Sequence, residues 1–105
     1  MPRSKVTIIV RIEPGCLGPT GADYVEEFCS FAAPVFNKIN ESFLDWKLVP
    51  RYDKSLPEIQ YYLNEYPLSD EKVEMYLAVF QSNLAGIEED ISAKLTISID
   101  KFFER

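Results

Sequence analysis

Apolar residues in the last third of the chain return at steps of three and four: Val73, Leu77, Phe80, Leu84, Ile87, Ile91, Leu95, Ile99 and Phe102. That spacing is one buried face of an α-helix and predicts a long helix over 69–103. Ser69 stands where a side chain caps the first amides, and Asp70 and Glu71 follow where the helix dipole favours negative charge. Leu68 is placed to staple onto Val73. Two stretches weaken the pattern. Gly86 costs ~1 kcal/mol relative to alanine inside a helix, so SNLAGIEED (82–90) also reads as a loop between two helices. Val73, Met75, Leu77 and Val79 alternate as a fourth strand would, but the cap and staple favour helix.

Upstream the period changes. In KVTIIVRIE (5–13), Val6, Ile8, Val10 and Ile12 face one way, and Thr7, Ile9, Arg11 and Glu13 the other. Alternation with β-branching predicts a strand, and Ile9 on the polar side suits a central position. PGCLGPTGA (14–22) then reads as a structured loop. From about Thr20 to Phe43, Val25, Phe28, Ala32, Val35, Ile39 and Phe43 keep helical spacing, with Cys29 and Phe36 widening the stripe. Asp23 with Glu26 offers a capping box, and Thr20 with Asp23 a competing one. Pro34 inside this helix removes the bond to the carbonyl of Ser30, which predicts a kink or two helices end to end. Residues 44–53 alternate as a half-buried strand, where Pro50 marks an edge or a bulge. Residues 59–64 form the next strand of a hairpin, and Pro67 ends it.

The order βαββα predicts an α+β two-layer sandwich. A small mixed sheet carries the Pro-kinked first helix and the long C-terminal helix on one face, with a parallel, right-handed first crossover. A length of 105 residues suits one globular domain over 1–105, and 47% hydrophobic content suits a packed core. No apolar run reaches the ~20 residues of a membrane span. Thr7 and Arg11 interrupt the N-terminal apolar run and no small-residue cleavage site follows, so the expected location is the cytoplasm.

The net charge of −6 is uneven. Residues 1–13 are basic, with Arg3, Lys5 and Arg11 against Glu13, whereas both helical segments are acidic. Like charge on the helices disfavours a nucleic-acid partner. The chain has no histidine, which removes histidine-based acid–base catalysis, Ser-His-Asp and Cys-His constellations and the usual transition-metal sites. No phosphate-binding glycine loop, dinucleotide fingerprint, zinc pattern or EF-hand loop is present. No catalytic residue, metal ligand set or cofactor is therefore assigned, and the reading leans away from an enzyme.

Three places remain for function. The loop from Glu13 to Tyr24 leaves the C-terminal end of a central strand, where α/β proteins place ligands. Glu13, Cys16, Gly18, Thr20, Gly21 and Asp23 are its candidate ligand or partner residues; free amides at Gly18, Thr20 and Gly21 suit an anion, but Glu13 and Asp23 oppose one. Cys16 is the more exposed thiol and Cys29 a small buried hydrophobe; two cysteines make no disulfide framework. The second place is the sheet face away from the helices, with Thr7, Ile9, Arg11 and Glu13, Lys47, Val49 and Arg51, and Gln60, Tyr62 and Asn64. Arg11, Lys47, Arg51 and Tyr62 are its candidate interface residues, because arginine and tyrosine beside apolar surface typify contact hot spots. The third is the apolar surplus Met75, Tyr76, Val79, Ile97 and Phe103 on the C-terminal helix, buried either by a second subunit or by the helix folding back.

The favoured expectation is a non-enzymatic interaction protein, a homodimer or the binder of another protein, using the open sheet face or the long helix. The alternative is a small-molecule-binding domain or minor enzyme built on the 13–24 loop. A further alternative is an acidic inhibitor of the immunity-protein type, presenting Glu88, Glu89 and Asp90 to a basic partner.

Overall fold

The computed structural model describes residues 5–104; Arg3, part of the basic N-terminal segment, lies outside them. Strand β1 (Val6–Ile12) has the alternation its sequence predicts, with Val6, Ile8, Val10 and Ile12 each at most 3% exposed. It pairs in parallel with β2 (Leu44–Pro50) and antiparallel with β3 (Ile59–Leu63), and β3 pairs antiparallel with a short β4 (Tyr66–Pro67). The spatial order is β2-β1-β3-β4. Helices α1 (Val25–Phe36), α2 (Asp70–Val79) and α3 (Leu84–Glu104) complete the α+β sandwich. Aromatic rings tie the helices to one another and to the sheet. Phe102 of α3 sits edge-on to Phe28 at 5.4 Å, and Phe36 of α1 packs on Trp46 of β2 at 5.6 Å.

The C-terminal apolar stripe is carried by two helices rather than one, and the break falls at 80–83, not at Gly86. Ser82 N–H reaches back to Leu77 C=O (3.0 Å) and Gln81 N–H to Ala78 C=O (3.1 Å), while Gln81 takes φ +59°. That is a Schellman stop with glutamine in the left-handed position usually given to glycine. The next helix starts at once, as Asn83 Oδ1 accepts from Gly86 N–H at 2.7 Å and the Glu74 carboxylate accepts from Leu84 N–H. Gly86 is thus a first-turn residue of α3. The apolar period survives the break because Phe80 and Leu84 both pack on the core, Phe80 stacked on Phe43 at 4.3 Å. At the start of α2, Ser69 accepts from Lys72 N–H at 3.3 Å, as its position predicts. Residues 73–79 are helical, not a strand.

The first helix is shorter than its pattern at both ends. Residues 14–17 and 21–23 form 3-10 turns, and α1 begins at Val25 with Tyr24 as an N-cap that makes no side-chain cap, so neither predicted capping box is used. Gly21 explains the delay. A Cβ there would stand 1.8 Å from the Pro14 carbonyl oxygen, so the two turns are pressed together where only glycine fits. Pro34 lies in the last turn of α1 and no second helix follows it; the chain turns through 37–43, with Asn40 at φ +47°. Strand β2 stops at Pro50 rather than Asp53. Asn64 is not a strand residue, since Asn64 and Glu65, at φ +51° and +76°, make the tight two-residue turn that produces β4.

Tyr61 is 3% exposed and its hydroxyl meets no hydrogen-bonding partner among the described residues. Burial, with Glu88 and Asp70 adding to it, holds the phenol un-ionised above its ordinary range. A raised folded pKa supplies stability that is complete below about pH 10 and is lost as pH climbs through the folded value. Tyr61→Phe is expected to raise stability at neutral pH by about 1 kcal/mol and to reduce alkaline loss, read by urea titration at pH 7 and above 10. Gly21→Ala is expected to cost about 3 kcal/mol in the same titration. Gly15→Ala, whose Cβ would meet its nearest neighbour at 3.9 Å, is expected to cost less than about 0.5 kcal/mol.

Candidate functional site

The C-terminal ends of β1 and β2 are tied by one guanidinium. Arg51 donates from Nη1 to Glu13 Oε2 (3.1 Å), from Nε to Leu56 C=O (3.1 Å) and from Nη2 to Lys54 C=O (3.2 Å). Glu58 Oε1 stands 3.7 Å from the same Nη1, and Lys54 Nζ approaches Glu13 Oε1 at 3.4 Å. With its side chain 19% exposed, Arg51 is the clasp of the 51–58 loop. Arg11 makes a parallel tie, Nη1 to Pro57 C=O at 2.9 Å. Asp53 closes the turn by accepting from Ser55 Oγ (2.6 Å) and Ser55 N–H (3.0 Å), and these bonds hold its carboxyl below the usual range. Both candidate interface arginines are therefore engaged within the chain.

The loop over 13–24 divides. Its amides are largely spent internally: Cys16 N–H on Glu13 C=O (2.9 Å), Gly18 on Gly15 (3.3 Å), Gly21 on Gly18 (3.0 Å) and Asp23 on Thr20 (3.0 Å). Gly18 and Gly21 therefore do not offer the free N–H groups that an anion would need. Leu17, 5% exposed, pins the loop to the core. Glu13 and Cys16 do line a cleft of about 110 Å³ with apolar walls from Ile12, Ile59, Ile91 and Leu95. Thr20 instead borders a hollow beside Tyr24 and Phe103, and Gly18, Gly21 and Asp23 line neither space.

The open sheet face is the better-assembled surface. Ile9 of β1 lies opposite Lys47 of β2 and Gln60 of β3, and Thr7 opposite Asp45 and Tyr62. Thr7, Ile9, Lys47, Tyr62 and Glu65 line a concavity of about 290 Å³ spanning three strands. Lys47 and Tyr62 thus meet where alternation puts them. Glu65 joins them through the 64–65 turn, and the only sequence signal for it is the turn-forming Asn64. Of the apolar surplus, Met75, Val79, Ile97 and Phe103 remain 68%, 73%, 46% and 50% exposed, so the chain does not fold back over them. Tyr76 is half-buried, its hydroxyl donating to Phe43 C=O at 3.1 Å.

Cys29 carries the opposite of nucleophile tuning, since burial, with Glu26 assisting, pushes its thiol up to about 11. Among the described residues, no three acidic or cysteine side chains gather as a metal site, and no helix is long and apolar enough to cross a membrane. Comparison with known family models, curated proteins and solved structures gives no match.

Cys16 is exposed and Cys29 buried, so native labelling with a disulfide reagent at pH 8 is expected to modify Cys16 roughly a hundredfold faster. Equal rates would mean that the α1 face opens readily. Arg51→Ala is expected to cost about 1–2 kcal/mol and to raise amide exchange across 51–58, with the sheet amides unaffected.

Proposed function

We propose that this chain is a small non-enzymatic interaction protein that self-associates, with the open sheet face as its contact surface. The observation that carries this reading is the concavity of Thr7, Ile9, Lys47, Tyr62 and Glu65 on the face that, among the described residues, no helix covers. It sets an isoleucine and a tyrosine ring in a hollow bordered by Lys47 and Glu65, an apolar and aromatic centre with a charged rim, which is the anatomy of a protein contact. The exposed Ile97 and Phe103 of α3 support a second, smaller contact. The carboxylates Glu88, Glu89 and Asp90 are exposed on α3, and nothing beyond their charge favours an inhibitor role.

A second reading keeps one specific support. Glu13 and Cys16 line the apolar cleft beside Ile91 and Leu95, which has room for a very small organic molecule. The charged lining of the cleft is engaged within the chain, Glu13 with Arg51 and Lys54, Glu58 with Arg51 and Arg11 on the Pro57 carbonyl, so the apolar walls favour an uncharged ligand.

Light scattering behind size exclusion, across a concentration series, tests the first reading. Tyr62→Ala is expected to weaken self-association about tenfold with the melting temperature within a few degrees of wild type, since Tyr62 lies on the face away from the core. Unchanged association would remove the open face from the contact, and a collapse in melting temperature would make Tyr62 a structural residue instead.

A further inference from the structure

The ladder phase of β2 defines what its free edge can bond. Val6 N–H meets Phe43 C=O at 3.3 Å and Arg51 N–H meets Ile12 C=O at 2.9 Å, at the two ends of a parallel register running from Val6↔Leu44 to Ile12↔Pro50. Residues 45, 47 and 49 therefore spend their backbone groups on β1, while Trp46 and Leu48 turn N–H and C=O outward. No strand lies on that side among the described residues. Leu44 N–H, which shares the outward phase, is taken by Asn40 C=O at 2.9 Å, and Pro50 has no N–H.

We infer that a second copy of this chain pairs antiparallel along β2, in the register that sets Asp45 of each copy opposite Lys47 of the other. Symmetric pairing must place the outward-bonding residues against each other, so the two-fold axis passes through position 46, 47 or 48. An axis at 47 sets Lys47 against its own copy, which like charge opposes. An axis at 48 sets Asp45 against Arg51, whose guanidinium is already committed to Glu13 and to the carbonyls of Lys54 and Leu56. An axis at 46 exchanges Trp46 N–H and C=O between copies and sends Leu48 N–H to Leu44 C=O of the second copy. It also forms the Asp45–Lys47 pair twice.

A lysine on an edge strand ordinarily guards it against pairing. Asp45, two positions away on the same face, makes this lysine attractive in one register and repulsive in the next. Asp45 has a competing contact, Lys5 Nζ at 3.8 Å, but its side chain is 60% exposed and so holds that contact weakly. The pairing rests on the self-association reading but moves the contact from the concavity to the β2 edge, with Lys47 common to both and Tyr62, two strands away, outside it. Two sheets would become one, and the two concavities would lie on a continuous surface.

Sedimentation velocity over a concentration series tests it with three variants. Asp45→Lys alone and Lys47→Asp alone are each expected to weaken dimerisation about tenfold or more, because symmetry turns two attractive pairs repulsive. The exchange of both, Asp45→Lys with Lys47→Asp, is expected to return affinity to within about threefold of wild type. A dimer indifferent to all three, yet weakened by Tyr62→Ala, would overturn the β2 pairing and leave self-association through the open face intact. A wild type that stays monomeric up to crystallisation-like concentrations would overturn both. Single variants that weaken the dimer without rescue by the exchange would also overturn this register.

Discussion

Strand β1 is paired on both edges and buried on one face, and the rest of the molecule follows from satisfying it. Val6, Ile8, Val10 and Ile12 need an apolar cover, and they share one buried core with Phe28 of α1 and with Ile87, Ile91 and Phe102 of α3. The parallel neighbour β2 needs a crossover, which is α1; the antiparallel neighbour β3 needs a return, which is the 51–58 loop. Among the described residues only one face is covered, and the other side of the same three strands is left to solvent or to a partner.

The arginines show how local chemistry divides that surface. At the C-terminal ends of β1 and β2 the open face is closed off, because Arg11 and Arg51 spend their donors on carbonyls of the 51–58 loop and on Glu13. Toward the other end Lys47, Tyr62 and Glu65 surround Ile9 without such ties to that loop. A charged, half-buried surface is thereby split into a structural clasp and a hollow. The clasp also sets cations beside both carboxylates of the Cys16 cleft, Arg51 against Glu13 and Glu58 and Lys54 against Glu13, so the acidity of the chain as a whole is offset in that cleft.

Alternation made β1, β2 and β3 legible, and with them the face on which Lys47 and Tyr62 lie, because a period of two assigns every side chain to one side. The helix break was hidden for a physical reason. Gln81 occupies a left-handed stop that sequence rules reserve for glycine, while Phe80 and Leu84 carry the apolar period straight across it. Gly86, the weak helix former in the pattern, lies instead in the first turn of α3, where its N–H bonds Asn83 Oδ1 and a Cβ would press on that oxygen at 3.2 Å. The start of α1 was hidden likewise, since the Gly21–Pro14 contact is made through space and no capping pattern announces it. The inward turn of Arg51 depends on a glutamate 38 residues earlier and on loop carbonyls, and neither leaves a trace in local pattern.

The order of the strands has a consequence for synthesis. The most apolar strand is made before both of its neighbours and sits between them, while β2 and β3 follow it after a helix and a loop. A growing chain that has reached only the end of α1 can shield one side of β1 but can saturate neither of its edges. Until residue 63 has left the ribosome, that segment is an adhesive ribbon, and chaperone capture or pairing with a neighbouring nascent chain competes with its own completion.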